Sequence, residues 1–155
     1  MDILNEEFLK LINALNHNQV KFLVVGGLAV NQYGYNRSTA DVDFWLKDNV
    51  ENRKNLIQSF KDLEYGNFNE LLTTPFLPGF CEIYLDSGIY ADLLSEIHGY
   101  PQETFEECYE RGKTIKIMDL VLKFISYQDL IKSKAQSTRS KDIQDLEELK
   151  KIRNS

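Results

Sequence analysis

Two cysteines, three prolines, two histidines and one tryptophan in 155 residues leave little for covalent or metal-locked architecture. Cys81 and Cys108 stand apart, with neither a close Cys nor a His at zinc spacing. That excludes a disulfide scaffold and a zinc site, and leaves two reduced, partly buried thiols. No apolar run approaches the length a bilayer crossing needs, and Met1-Asp2-Ile3-Leu4-Asn5-Glu6-Glu7 lacks the basic start of a signal peptide. The expectation is a cytoplasmic protein with no membrane partner. Basic residues are outnumbered, 18 against 24 acids, for a net charge of -6. Broad, sequence-independent binding of nucleic acid is therefore disfavoured, although an RNA end remains open as a substrate. No internal repeat or low-complexity tract occurs, and the length suits a single domain, 1–155, with one core.

The apolar pattern supports a mixed sheet flanked by helices. Asn5 or Asp2 caps a first helix with Phe8, Leu11, Ile12 and Leu15 on one face, ended by Asn16-His17-Asn18. His17 reads as a solvated helix-end residue. Asn49 to Leu63 reads as an amphipathic helix with Val50, Ile57, Phe60 and Leu63 apolar. Tyr65 to Gly79 is the longest loop, broken at Thr73-Thr74-Pro75 and Leu77-Pro78-Gly79. Phe80 to Leu85 and Ile89 to Leu94 read as an antiparallel hairpin turning at Asp86-Ser87-Gly88, and His98-Gly99-Tyr100-Pro101 as a turn. Thr104 to Arg111 forms a helix, and Lys113 to Phe124 one or two further strands. Two helices close the chain, Tyr127 to Ala135 and Lys141 to Ile152, the second with Ile143, Leu146, Leu149 and Ile152 as its apolar stripe. Lys132, Lys134, Arg139, Lys141, Lys150, Lys151 and Arg153 crowd this last stretch and suggest a local positive wall.

Chemistry concentrates between Val24 and Leu46. Phe22-Leu23-Val24-Val25 is a short strand that stops at Gly26-Gly27, where a short helix begins and its first amides face outward as a phosphate site. Arg37-Ser38-Thr39-Ala40 then leads into Asp41-Val42-Asp43. Alternation along a strand puts both carboxylates on one face, roughly 7 Å apart at about 3.3 Å per residue. Like charges so placed are costly unless a cation sits between them. Asp92, among Tyr90 and Leu94 on one strand face, is a third acid in apolar surroundings, with a solvated strand-edge Asp as the alternative. Glu82 and Glu96 are rivals for that place.

The stretch resembles the nucleotidyltransferase superfamily of DNA polymerase beta, whose pattern is a glycine pair or glycine-serine, a spacer, two acids in one strand and a third in a later one. Gly26-Gly27, Asp41-Val42-Asp43 and Asp92 fill those places in order. The form Arg37 to Asp43, with Asp129 to Ala135 and Arg139 to Leu146, looks like the small bacterial members related to abortive-infection nucleotidyltransferases. The resemblance implies an α+β nucleotidyltransferase fold with C-terminal helices. It implies transfer of a nucleoside monophosphate from a nucleoside triphosphate to a hydroxyl acceptor, with two Mg2+ ions held by Asp41, Asp43 and Asp92, the catalytic acids. The acceptor class, whether protein, RNA end or small molecule, is left open. Gly26, Gly27, Arg37, Thr39, Lys134 and Arg139 are the implied nucleotide contacts, with no Cys, Ser or His nucleophile. Solvated helix charge is the alternative for the two C-terminal cations, and pairing with Asp41 the alternative for Arg37. Many catalytic relatives carry serine where Gly27 stands, and its hydroxyl contacts a phosphate. The second class of reading is accordingly an antitoxin-like or other nucleotide-binding module that keeps the fold and docks a toxin or antitoxin partner.

Overall fold

The computed structural model describes residues 2–76, 81–85 and 88–154. The expected chain break at Leu77-Pro78-Gly79, the start of a strand at Phe80, and Asp86 and Ser87 of the expected turn lie outside the described residues. The first helix, α1 (Glu6–His17), starts where the Asn5 side-chain oxygen accepts from the amides of Glu7 and Phe8 at 3.0 and 3.2 Å. These are two of the donors a helix start leaves unpaired, which is why Asn5 and not Asp2 is the cap. The other helices are α2 (Gly26–Gln32), α3 (Val50–Asp62), α4 (Phe105–Arg111), α5 (Tyr127–Ala135) and α6 (Ser140–Arg153).

Six strands, β1 (Phe22–Val25), β2 (Asp41–Leu46), β3 (Glu82–Leu85), β4 (Ile89–Leu94), β5 (Lys113–Ile117) and β6 (Leu120–Phe124), make one sheet of order β3-β4-β2-β1-β6-β5. β2 and β4 run parallel, as do β1 and β6, and the remaining neighbours are antiparallel. Strand alternation divides the sheet into two faces with different chemistry. On one, Val24, Val42, Phe44, Ala91, Leu93 and Ile83 are buried and pack against Leu11, Leu15, Leu56 and Phe60 of α1 and α3. The other face is apolar only along part of its width. Trp45, fully buried, meets Phe105 edge-on at 5.2 Å and donates its indole N–H to the Ser95 carbonyl at 2.8 Å. Beyond Trp45 the same face carries the acids.

Two helix faces differ from the apolar stripes read in the sequence. In α3, Val50 is 62% exposed, while Asn52 and Ser59 are buried. Asn52 earns its place by hydrogen bonding: it donates to the carbonyls of Lys21 and Lys47 at 3.0 and 2.7 Å and accepts from the Lys21 amide at 2.8 Å. The helix is thereby tied to the ends of both central strands. In α6, Ile143 and Ile152 are exposed, whereas Asp142 and Asp145 are buried beside Leu149.

Those aspartates are buried because cations come to them. Arg37, just before β2, donates to both Asp145 oxygens at 2.7 and 3.0 Å. Lys134 of α5 bridges Asp145 at 2.9 Å and Asp142 at 2.6 Å, and the Ser137 hydroxyl donates to Asp142 at 2.6 Å. Two cations and two anions cancel, so the cluster is neutral and nearly fully hydrogen-bonded, the condition for burying charge. Burial, the largest single effect, pushes the Asp142 carboxyl up, but the hydrogen bonds from Lys134 and Ser137 and the charges of Lys134 and Arg139 together outweigh it and hold the carboxyl below the usual carboxylate range. Asp145→Ala should therefore destabilise the protein by about 3–5 kcal/mol, because Arg37 loses its buried partner and Lys134 one of its two. Ile143→Ala should change stability by less than about 1 kcal/mol. Urea denaturation checks the ranking, and the reverse order would mean that α6 is held by its isoleucines.

Candidate active site

β1 stops at Gly26, whose φ is +65°. A Cβ at this position would overlap Asp43 Oδ2, so only glycine lets the main chain pass this close to the acid. Gly27 is constrained differently. A Cβ there would stand 2.8 Å from Thr39 Oγ1 and 3.2 Å from Arg37 Nη1. Thr39, whose hydroxyl donates to the Asp41 carbonyl at 3.1 Å, fills the space that a serine at position 27 would need.

Register brings the acids together. Asp43 is paired with Val25 on one side and Asp92 on the other, and Asp92 in turn with Glu82. Paired residues point the same way, so Asp43, Asp92 and Glu82 form one transverse row on the open face. The next row holds Asp41, Tyr90 and Tyr84. Burial first, then the charges of Asp92 and Asp41, push the Asp43 carboxyl up to about 7. Glu82 is also raised, by partial desolvation and then by Asp92 and Asp41. Asp92 Oδ1 is buried and has no hydrogen-bond partner among the described residues. Among the described residues no three acids, cysteines or histidines already converge on a common point as a closed metal cage. The acids stand adjacent, and oxygen donors of this kind suit a hard divalent cation such as Mg2+.

A cleft of about 380 Å3 lies over these acids. It is lined by Gly26, Gly27, Arg37, Thr39, Asp41, Asp43, Asp92, Lys134 and Arg139, all nine of the residues singled out in the sequence. Neither Arg37 nor Lys134 is a free cation. Arg37 pairs with Asp145, a partner 108 positions away, and not with Asp41. Lys134 is shared by Asp142 and Asp145. Of the expected positive wall, Lys134, Arg139 and Lys141 reach the cleft, while Arg153 stacks on Tyr127 at 4.1 Å. Sequence reasoning weighed Glu96 only as a rival third acid and passed over Leu94, Ile97 and His98, which follow Asp92 along and beyond β4 into the wall of the cleft, and Leu130 of α5 opposite. Continuing the alternation of β4 past Leu94 was the available signal.

The sheet order, the glycine turn against the acid strand and the cleft between sheet and C-terminal helices define a nucleotidyltransferase-like domain of the α+β class. The chain belongs to the family described as nucleotidyl transferase of unknown function (DUF2204), which it matches over residues 4–155. Among solved structures it is similar to an antigenic nucleotidyltransferase-like protein from Paracoccidioides brasiliensis. That likeness has 14% identity and a TM-score of 0.55, covering 90% of this chain and 71% of the other. No curated protein matches the chain.

Two expectations follow from the local physics. Gly27→Ser should cost about 1–3 kcal/mol, because the new Cβ must displace Thr39; a thermal melt at or above the wild-type midpoint would show that Thr39 yields freely. The second concerns pH. Asp43 has its carboxyl raised from 3.8 to about 7 in the fold, so it favours the folded state when protonated. That contribution is full below about pH 4 and is lost as pH rises through about 7. Metal-free protein should accordingly lose midpoint temperature between pH 5 and pH 8 by more than Asp43→Asn does. Melts of both proteins in a chelating buffer check this, and parallel slopes would place the repulsion elsewhere.

Proposed function

We propose that the protein is a nucleotidyltransferase that moves a nucleoside monophosphate from a nucleoside triphosphate to a hydroxyl acceptor. The observation that carries this reading is the in-register pair Asp43 and Asp92 beside Gly26, with the Asp43 carboxyl pushed up to about 7 and one Asp92 oxygen unpartnered among the described residues. Two adjacent carboxylates in that condition are short of positive charge, as a site for Mg2+ should be. Asp41 and Asp43 would hold two Mg2+ ions, one of them shared with Asp92. When bound, Mg2+ supplies charge for the leaving pyrophosphate and lowers the pKa of the attacking hydroxyl.

The chain's own residues do the rest. Gly26 and Gly27 let the backbone approach the triphosphate. Arg139 and Lys141 offer charge on the α6 side of the cleft. Lys134, with its charge already balanced by Asp142 and Asp145, acts as a donor that positions phosphate more than as a source of net attraction. The acceptor oxygen forms a bond to the α-phosphorus as the bond to pyrophosphate breaks, and the hydroxyl proton passes to water.

One observation favours a second reading, a nucleotide-binding module that docks a partner such as a toxin without turnover: Lys134, the lysine expected to face phosphate, has its charge balanced by two aspartates. Labelled transfer with each of four nucleoside triphosphates and Mg2+ against cell extract separates the two. Nucleotide binding with no labelled product from any of them would favour the module. For the transferase, Asp92→Asn should leave Mg2+-nucleotide affinity within a few-fold while transfer falls at least about 100-fold, several kcal/mol on the barrier. Asp41→Asn should damage both.

A further inference from the structure

The two sides of the acid row differ in kind. Across the sheet the order is Gly26 at the end of β1, then Asp43 on β2, Asp92 on β4 and Glu82 on β3. In a phosphoryl displacement the attacking and leaving groups lie roughly in line on opposite sides of phosphorus. With the triphosphate over Gly26 and Gly27, the acceptor approaches over β4 and β3. The next row on that side presents Tyr90 and Tyr84, their ring centroids 5.3 Å apart at 61°. Both are unusually open for strand aromatics, 37% and 57% exposed.

We propose that Tyr84 and Tyr90 form the acceptor platform and that it takes a small hydroxyl-bearing organic cation, such as an amino alcohol. This rests on the transferase reading above. Charge decides the class. Neither β3 nor β4 contains a lysine or arginine, whereas Glu82, the acid of the row not assigned to Mg2+, faces this side of the sheet two residues from Tyr84. The basic residues Arg37, Lys134, Arg139 and Lys141 line the cleft that holds the nucleotide. Two aromatic faces beside the Glu82 carboxylate attract a cation and repel a phosphate-bearing acceptor. The acceptor's hydroxyl oxygen bonds to the α-phosphorus, pyrophosphate departs with the electrons of the broken bond, and the hydroxyl proton goes to water.

The test uses the full chain and choline as probe, followed by tyrosine ring signals in NMR, with ribose 5-phosphate and a short oligoribonucleotide as comparators. Choline should shift the rings of Tyr84 and Tyr90 at millimolar concentration. Tyr90→Leu should weaken it by about fivefold or more, and Tyr90→Phe should keep it within about twofold. Binding of Mg2+-nucleotide, measured separately by calorimetry, should be unchanged in all three proteins. Choline binding that ignores Tyr90→Leu, or no binding at all, overturns the platform whatever the nucleotide does. Preference for ribose 5-phosphate or the oligoribonucleotide overturns the cationic class. If choline binds as expected and none of the four nucleoside triphosphates binds, the transferase reading fails and takes the acceptor role with it.

Discussion

Asp145 is a fully buried carboxylate shared by an arginine from the approach to β2 and a lysine from α5. Each of the three charges would be expensive alone in the interior, and only their convergence makes burial tolerable. The consequence is positional. Arg37 cannot reach Asp145 unless α6 lies across the approach to β2, and Lys134 cannot reach it unless α5 packs beside α6. The same contact therefore sets the wall of the cleft and the path of the chain from Arg37 through Thr39 to Asp41.

The acid row follows the opposite logic. Where the Asp145 cluster is balanced, Asp43 is buried and faces Asp92 with too little positive charge, and burial first, then the neighbouring charge, makes it favour its proton. A protein that needed only stability would place one carboxylate here, or none. The two clusters are linked in space because Arg37 and Thr39 connect them through a short stretch of backbone. A balanced network thus holds an unbalanced one in place, which is how strained electrostatics persist at functional sites.

The face carrying the acids is divided across the strands. Trp45 and Leu94 continue the row order into an apolar region closed by Phe105 and Tyr100, while Asp41, Tyr90 and Tyr84 stay open. A single strand of six residues, β2, therefore runs from cleft to core, with its polar positions at one end and Trp45 at the other. Rigidity at the buried end is what allows carboxylates at the open end to keep their register.

Much of this was legible locally. Capping at Asn5 or Asp2, the glycine stop after β1, the alternation of Asp41 with Asp43 and the placement of Asp92 on one strand face with Tyr90 and Leu94 all follow from interactions within a few residues, and local chemistry suffices for them. The stripes of α3 and α6 did not follow, because burial of Asn52, Asp142 and Asp145 depends on partners supplied from other elements. A helix pattern read alone assigns charge to water and isoleucine to the core. In α6 that is reversed, since Asp145 has Arg37 to meet while Ile143 stays exposed. The pairing of Asp43 with Asp92, the filling of the space at Gly27 by Thr39, and the entry of His98 into the cleft were likewise decided by strand register and loop path. The sequence by itself determined nine of the residues that line the cleft. Only the tertiary structure decided their partners, because charge pairing acts through space between segments that the chain order keeps apart.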